Sequence, residues 1–210
     1  MASLSVEQVI CQLAWNTLSA TPRTMKSVDF DRLFPDIQAI TNAFRKFRPT
    51  VAPELAQLLQ GEASPTLQEL KEVSAIEPST DTWGVYLAFL EMEEARARLY
   101  TGTGTRLDGG VESRVRNYQH GSALSAKVRE FLDLGFEIAH IGIIFSTPTP
   151  PAADLRLCRA LHRLIEATFT YAFWSVYSVK DTTQYRYVME GLCFWGRILW
   201  SGMALTCRTP

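Results

Sequence analysis

Few side chains in this sequence have both the type and the spacing to do chemistry. Glu137 and His140 form an ExxH unit, the spacing at which one helix face offers a carboxylate and an imidazole to a shared metal ion. Such a centre needs a second ExxH and two more inward carboxylates. Neither His120 nor His162 follows a Glu at that distance, so no metal is expected. The four cysteines, Cys11, Cys158, Cys193 and Cys207, show no CxxC or Cys/His spacing. They predict neither a zinc site nor a secreted disulfide framework, and three of them fall in apolar helical stretches as small hydrophobes.

Arg114 and His120 make an R-x5-H pair, a spacing used by some helical ribonucleases. Val115 follows the arginine where a polar residue is favoured, which weakens that reading. The stretch "TGTGTRLDGG" (101–110) holds four of the chain's 12 glycines. It is not a GxxxxGK[ST] phosphate loop, and its glycine spacing does not fit a dinucleotide fingerprint after a strand. No catalytic residues and no cofactor are expected, and the chain is read as a non-enzyme.

The arginines are a stronger signal. Of 21 basic residues, 16 are Arg, whose planar fork suits phosphates, carboxylates and aromatic faces. Arg96, Arg98, Arg106, Arg114 and Arg116 surround the glycine-rich loop, opposed only by Asp108 and Glu112. Residues 95–120 thus carry a formal +3 in a chain whose net charge is −1. With so little overall charge, attraction to a polyanion has to be local. Glycines let backbone N–H groups approach an anion, and guanidinium groups grip phosphate oxygens, so single-stranded RNA or another polyanion is the expected ligand. The competing reading is a solvated loop whose arginines pair with Glu91, Glu93, Glu94 and Glu112.

A second basic face, Arg156, Arg159 and Arg163, lies at i, i+3 and i+7 beside an apolar stripe that includes Cys158, His162, Ile165 and Phe169. It matters to binding only if it shares a groove with the loop arginines. "FRKFRP" (44–49) interleaves aromatic and basic residues, and cations at a helix C-terminus account for it equally well.

The elements expected to position these groups are helices. Apolar residues recur at helical spacing from Val6 to Leu18, with Ser5 as cap, and again from Pro35 or Asp36 to Phe47. Further helices are predicted from Asp81 or Thr82 to Tyr100, from Ser122 to Phe145, from Asp154 to Ser178 and from Thr182 to Leu205. Six of the ten prolines lie between residues 22 and 78, and none between 79 and 147. The prediction is an all-α multi-helix bundle. Residues 1–80 form a proline-punctuated subdomain, and residues 81–210 form the main bundle with its Gly/Arg loop.

The C-terminal third is aromatic: 12 of 23 aromatic residues lie between Phe136 and Trp200. Trp174, Tyr185, Tyr187, Phe194, Trp195 and Trp200 are the predicted assembly surface, with burial at the centre of the bundle as the alternative. No apolar run is long enough to cross a bilayer without a charge, and "MASLSVEQVI" lacks a signal-peptide pattern. A cytoplasmic protein, not bound to membrane, is expected.

The segment from Ala95 to Ala139, read as helix, Arg-flanked loop and helix, resembles coat proteins of helical (rod-shaped or flexuous) plant RNA viruses. That resemblance implies a self-assembling structural protein, homo-oligomeric within a virion, with Arg96, Arg98, Arg106, Arg114 and Arg116 as RNA contacts. Two other readings stay open: a helical protein–protein interaction module, and a helical hydrophobic-ligand binder or enzyme.

Overall fold

A computed structural model describes residues 4–60, 65–73, 75–95, 97–173 and 175. Helix α1 (Val6–Ala20) begins at Ser5 in a capping box: the Ser5 hydroxyl accepts from the Gln8 N–H at 3.2 Å, and the Gln8 side chain accepts from the Ser5 N–H at 2.8 Å. Helices α2 (Val28–Leu33) and α3 (Ile37–Phe47) follow, α3 capped by Asp36 at 2.8 Å from the Ala39 N–H. The proline-rich stretch holds strand β1 (Thr50–Val51), α4 (Pro53–Gln60) and α5 (Leu67–Lys71), with Pro53 at a first-turn position.

The all-helical expectation fails, at β1 and above all between residues 82 and 148. Strands β2 (Thr82–Glu91), β3 (Arg98–Gly104) and β4 (Glu137–Pro148) join β1 in a four-stranded antiparallel sheet of order β1-β4-β2-β3. The predicted helix from 82 to 100 is therefore a β-hairpin. The predicted helix from 122 to 145 divides into α7 (Ala126–Asp133) and β4, and a separate helix α6 (Glu112–Gln119) precedes it. The last described helix, α8, spans Leu155–Ala172.

The misreading has a physical cause. Strand β2 is central and every residue from Trp83 to Leu90 is buried, so the hydrophobic alternation of a half-exposed strand is absent from its sequence. A short apolar run of this kind is ambiguous between helix and strand. Here the β-branched and aromatic content of "TWGVYLAFLE" and "EIAHIGIIFSTP" favours the pleated form. The 45-residue stretch that carried the coat-protein resemblance as helix–loop–helix instead runs strand, loop, two short helices and strand.

Alternation reappears as a division between two cores. Trp83, Val85, Leu87 and Phe89 point into the larger cluster with α1, α3, α4 and α8. Tyr86, Ala88 and Leu90 point into a smaller one with Val111, Tyr118 of α6 and Val128 of α7. The sheet is thus sandwiched, and large fully buried side chains such as Trp83, Phe145 and Phe169 contribute roughly 1.5–3 kcal/mol each by leaving water. Irregularities in the β2–β4 register fall between Val85 and Tyr86 and between Phe89 and Leu90. At the first of these the Ile144 carbonyl accepts from the Ala52 N–H at 3.0 Å. Among the described residues no helix is long and apolar enough to cross a membrane.

Candidate nucleic-acid interface

The glycine-rich stretch is strand first and loop second. Within β3, Thr101 and Thr103 face α8 while Gly102 faces the tyrosines of the smaller core. A Cβ on Gly102 would stand 2.4 Å from the Tyr86 hydroxyl oxygen, so only glycine leaves room for that ring. Past Gly104 the chain loops back, and Val111 donates its N–H to the Thr82 carbonyl at 2.8 Å. Gly110 has φ +47°, and a Cβ there would meet the Thr82 carbonyl oxygen at 2.2 Å.

Three side-chain links tie β3 and its loop to α8 and to Ser175 just beyond its end. Arg159 donates to the Thr105 carbonyl at 3.3 Å, Thr103 donates to Glu166 at 3.2 Å, and the hydroxyls of Thr101 and Ser175 share a hydrogen bond at 2.6 Å. The Arg159 guanidinium also lies over the Trp83 ring, 5.1 Å from its centroid, while the Trp83 indole N–H donates to the Arg106 carbonyl at 2.8 Å. The basic face of α8 and the arginine loop therefore meet. Arg163, one turn beyond Arg159, is exposed, and Glu166 follows it in a half-buried position. Burial raises the Glu166 pKa, and the Thr103 hydrogen bond and the charges of Arg163 and Arg114 oppose that rise.

The other predicted contacts disperse. Arg98 starts β3 opposite Leu90, six residues and about 20 Å from the loop end of the strand. Arg114 is half-buried on α6: it donates to the Ala123 carbonyl at 2.8 Å and lies 5.7 Å from the Tyr118 ring centroid. Arg116 pairs with Glu112 along α6, and Arg156 pairs with Asp29 of α2. Arg106 pairs with Asp108 at 3.2 Å, with both side chains well exposed. Glu91 pairs with Lys71 rather than with a loop arginine. Arg96 lies outside the described residues, as do the predicted assembly residues Trp174, Tyr185, Tyr187, Phe194, Trp195 and Trp200.

The catalytic leads also come apart. Glu137 and His140 lie on β4, not on a helix, and His140 rests against the Phe89 ring at 5.8 Å between centroids. Among the described residues no group of three or more His, Cys, Asp and Glu could hold a metal ion. His120 ends α6 exposed, while Arg114 points to Tyr118 and Ala123. Tyr86, Tyr100 and Tyr118 form a ring cluster in which the Tyr86 hydroxyl donates to Tyr118 at 3.2 Å. Burial raises the Tyr86 phenol and pushes Tyr100 up to about 12, so both stay protonated at neutral pH.

His162 is fully buried between Trp83 and Phe145, with Nδ1 3.0 Å from the Cys158 carbonyl and Nε2 3.5 Å from Thr147 Oγ1. Burial holds its pKa down at about 4 and raises the Cys158 thiol to about 11. Trp83 and Glu166, which position the basic face, gave no sign of that role in the sequence. The four-residue step from Arg159 to Arg163 was its only legible trace.

The fold and this face define a mixed α/β protein whose antiparallel sheet carries an arginine surface at one end of its edge strand. No protein-family model, curated protein or solved structure matches the chain.

Proposed function

We propose that this chain is a non-catalytic structural protein that contacts nucleic-acid phosphates through Arg106, Arg159 and Arg163, without reading base sequence. The observation that carries this reading is the junction at Trp83, where Arg159 of α8 and the backbone of Arg106 meet on one ring. Arg106 and Arg163 offer exposed guanidinium forks there, and the exposed Arg106–Asp108 pair exchanges readily for a phosphate because surface pairs hold little free energy. Self-association is the second part of the proposal, and a coat-type particle is the form it takes if the subunits polymerise on RNA.

The test is fluorescence anisotropy of a labelled single-stranded RNA across a salt series. Each phosphate neutralised on a single strand adds about 0.7 to the slope of log affinity against log salt. Replacing Arg106 and Arg163 with Gln should flatten that slope by about 1.4. Arg129→Gln, on α7 across the sheet, should leave it unchanged. An unchanged slope in the double variant removes this face from the function.

A further inference from the structure

A second basic feature lies apart from the α8 face. Val6 and Glu7 of α1, Phe44 and Arg45 of α3, and Arg48, Pro49 and Val51 line an open cavity of about 350 Å³ beside the edge strand β1. Phe44 is buried, Val6, Pro49 and Val51 are half-buried, and Arg45 and Arg48 are exposed on the rim. Arg48 holds its place as the left-handed C-cap of α3, its N–H donating to the Phe44 carbonyl at 2.8 Å. Glu7 is the one carboxylate among the described lining residues, and its 4.0 Å contact with Arg45 is exposed and weak. Lys46 turns away to Asp154 at 2.6 Å. The groove thus offers an apolar floor under a net positive rim, which fits an apolar side chain flanked by carboxylates.

The opposite end of the sheet presents that chemistry. The β2–β3 turn exposes Met92, Glu93 and Glu94, and the α7–β4 turn exposes Asp133, Leu134 and Glu137. A Cβ on Gly135 would stand 3.4 Å from the Met92 sulfur, so the Met92 and Leu134 turns adjoin. Glu137 pairs in register with Glu91, whose charge is met by Lys71. Leu134 at 62% and Met92 at 36% are two of the few large hydrophobic side chains exposed among the described residues.

Register sets the distance between the two features. Val51 pairs with Phe145 and Phe145 with Val85, so the groove sits level with Val85, seven residues from Met92 along β2. That is about 23 Å, and one molecule cannot place its own tip in its own groove.

We infer that the acidic Met92–Glu94 tip of one copy docks in the Arg45/Arg48 groove of the next, giving a head-to-tail self-association. The two surfaces differ, so the contact is heterologous and repeats into rings or filaments. It rests on the self-association part of the proposed function and is independent of the nucleic-acid part, because it uses none of Arg106, Arg159 or Arg163.

The test is charge exchange followed by sedimentation equilibrium, with circular dichroism to confirm that each variant is folded. Arg45→Glu with Arg48→Glu should weaken self-association by about tenfold or more, as should Glu93→Arg with Glu94→Arg. Mixing the two variants restores association, because the basic tip of one then meets the acidic groove of the other while their remaining surfaces stay complementary. Recovery only in the mixture supports the contact. A wild-type chain that stays monomeric overturns it, even if its groove takes a free acidic peptide. So does association that neither charge reversal weakens, or that mixing fails to restore.

Discussion

His162 stands in the larger core with its ring edge-on to Trp83 and Phe145, and its environment makes its protonation a matter of stability rather than catalysis. Desolvation penalises the imidazolium and lowers the folded-state pKa from 6.5 to about 4, against weaker opposition from backbone hydrogen bonds at Cys158 and Trp83. Between those values the unfolded chain binds a proton that the folded chain refuses. The resulting stability is complete above pH 6.5 and is lost as pH falls towards 4, a change of about 3 kcal/mol. Urea unfolding at pH 7.5 and 4.5 should show most of this loss in the wild type. His162→Gln should lower stability at pH 7.5 and flatten the difference between the two pH values. If the variant keeps the full wild-type pH dependence, some other group carries it. This behaviour was partly legible: Cys158, His162, Ile165 and Phe169 share one apolar stripe of the predicted helix. The partner Trp83 comes from a strand that helical periodicity concealed, and Thr147 from the end of a strand just past the predicted helix.

At the level of elements, the "TGTG" segment shows what the sequence could and could not reveal. Its glycines mark close approach, but the approaching groups lie elsewhere in the chain: Tyr86 against Gly102 and Val111 against Gly104. Glycine-rich text after an apolar run reads equally as a loop between helices, and only the partner strand decides. Helices with local signals were recoverable, since Ser5 and Asp36 mark their starts within a residue or two of the observed ones. Strand β2 and the second half of β4 carry no such markers, because both faces are covered there and the polar alternation that would show a strand is missing. The strand reading makes a direct prediction. Gly102→Ala forces a methyl group into the Tyr86 ring and should destabilise the protein by about 1–3 kcal/mol, the range for overpacking a filled core. In the double variant Gly102→Ala/Tyr86→Leu, the removed ring should reduce the penalty of the alanine itself. Equal penalties for the alanine in both backgrounds would mean that ring and glycine do not compete for space.

For the whole molecule, a net charge of −1 conceals a separation along the strand direction. Arg45, Arg48, Arg106 and Arg159 gather where β2 begins, and Glu91, Glu93, Glu94, Asp133 and Glu137 gather where it ends. At physiological salt a charge is screened beyond about 8 Å, so the acidic end contributes nothing to phosphate contacts more than 20 Å away. Close contacts determine the salt slope of RNA binding, whereas long-range steering depends on the field of the entire surface. The Glu93→Arg/Glu94→Arg variant changes the formal charge by four units without touching the proposed interface. Studied below the concentration of self-association, it should bind single-stranded RNA with the wild-type salt slope and the wild-type affinity near 0.15 M salt. At about 0.01 M salt, where screening reaches only to 30 Å, its association rate should rise severalfold because the repulsive end has been reversed. Stopped-flow anisotropy at the two ionic strengths separates these effects. A changed slope would place Glu93 and Glu94 within contact distance of the RNA and would move the interface from the Trp83 end of the sheet to the hairpin tip.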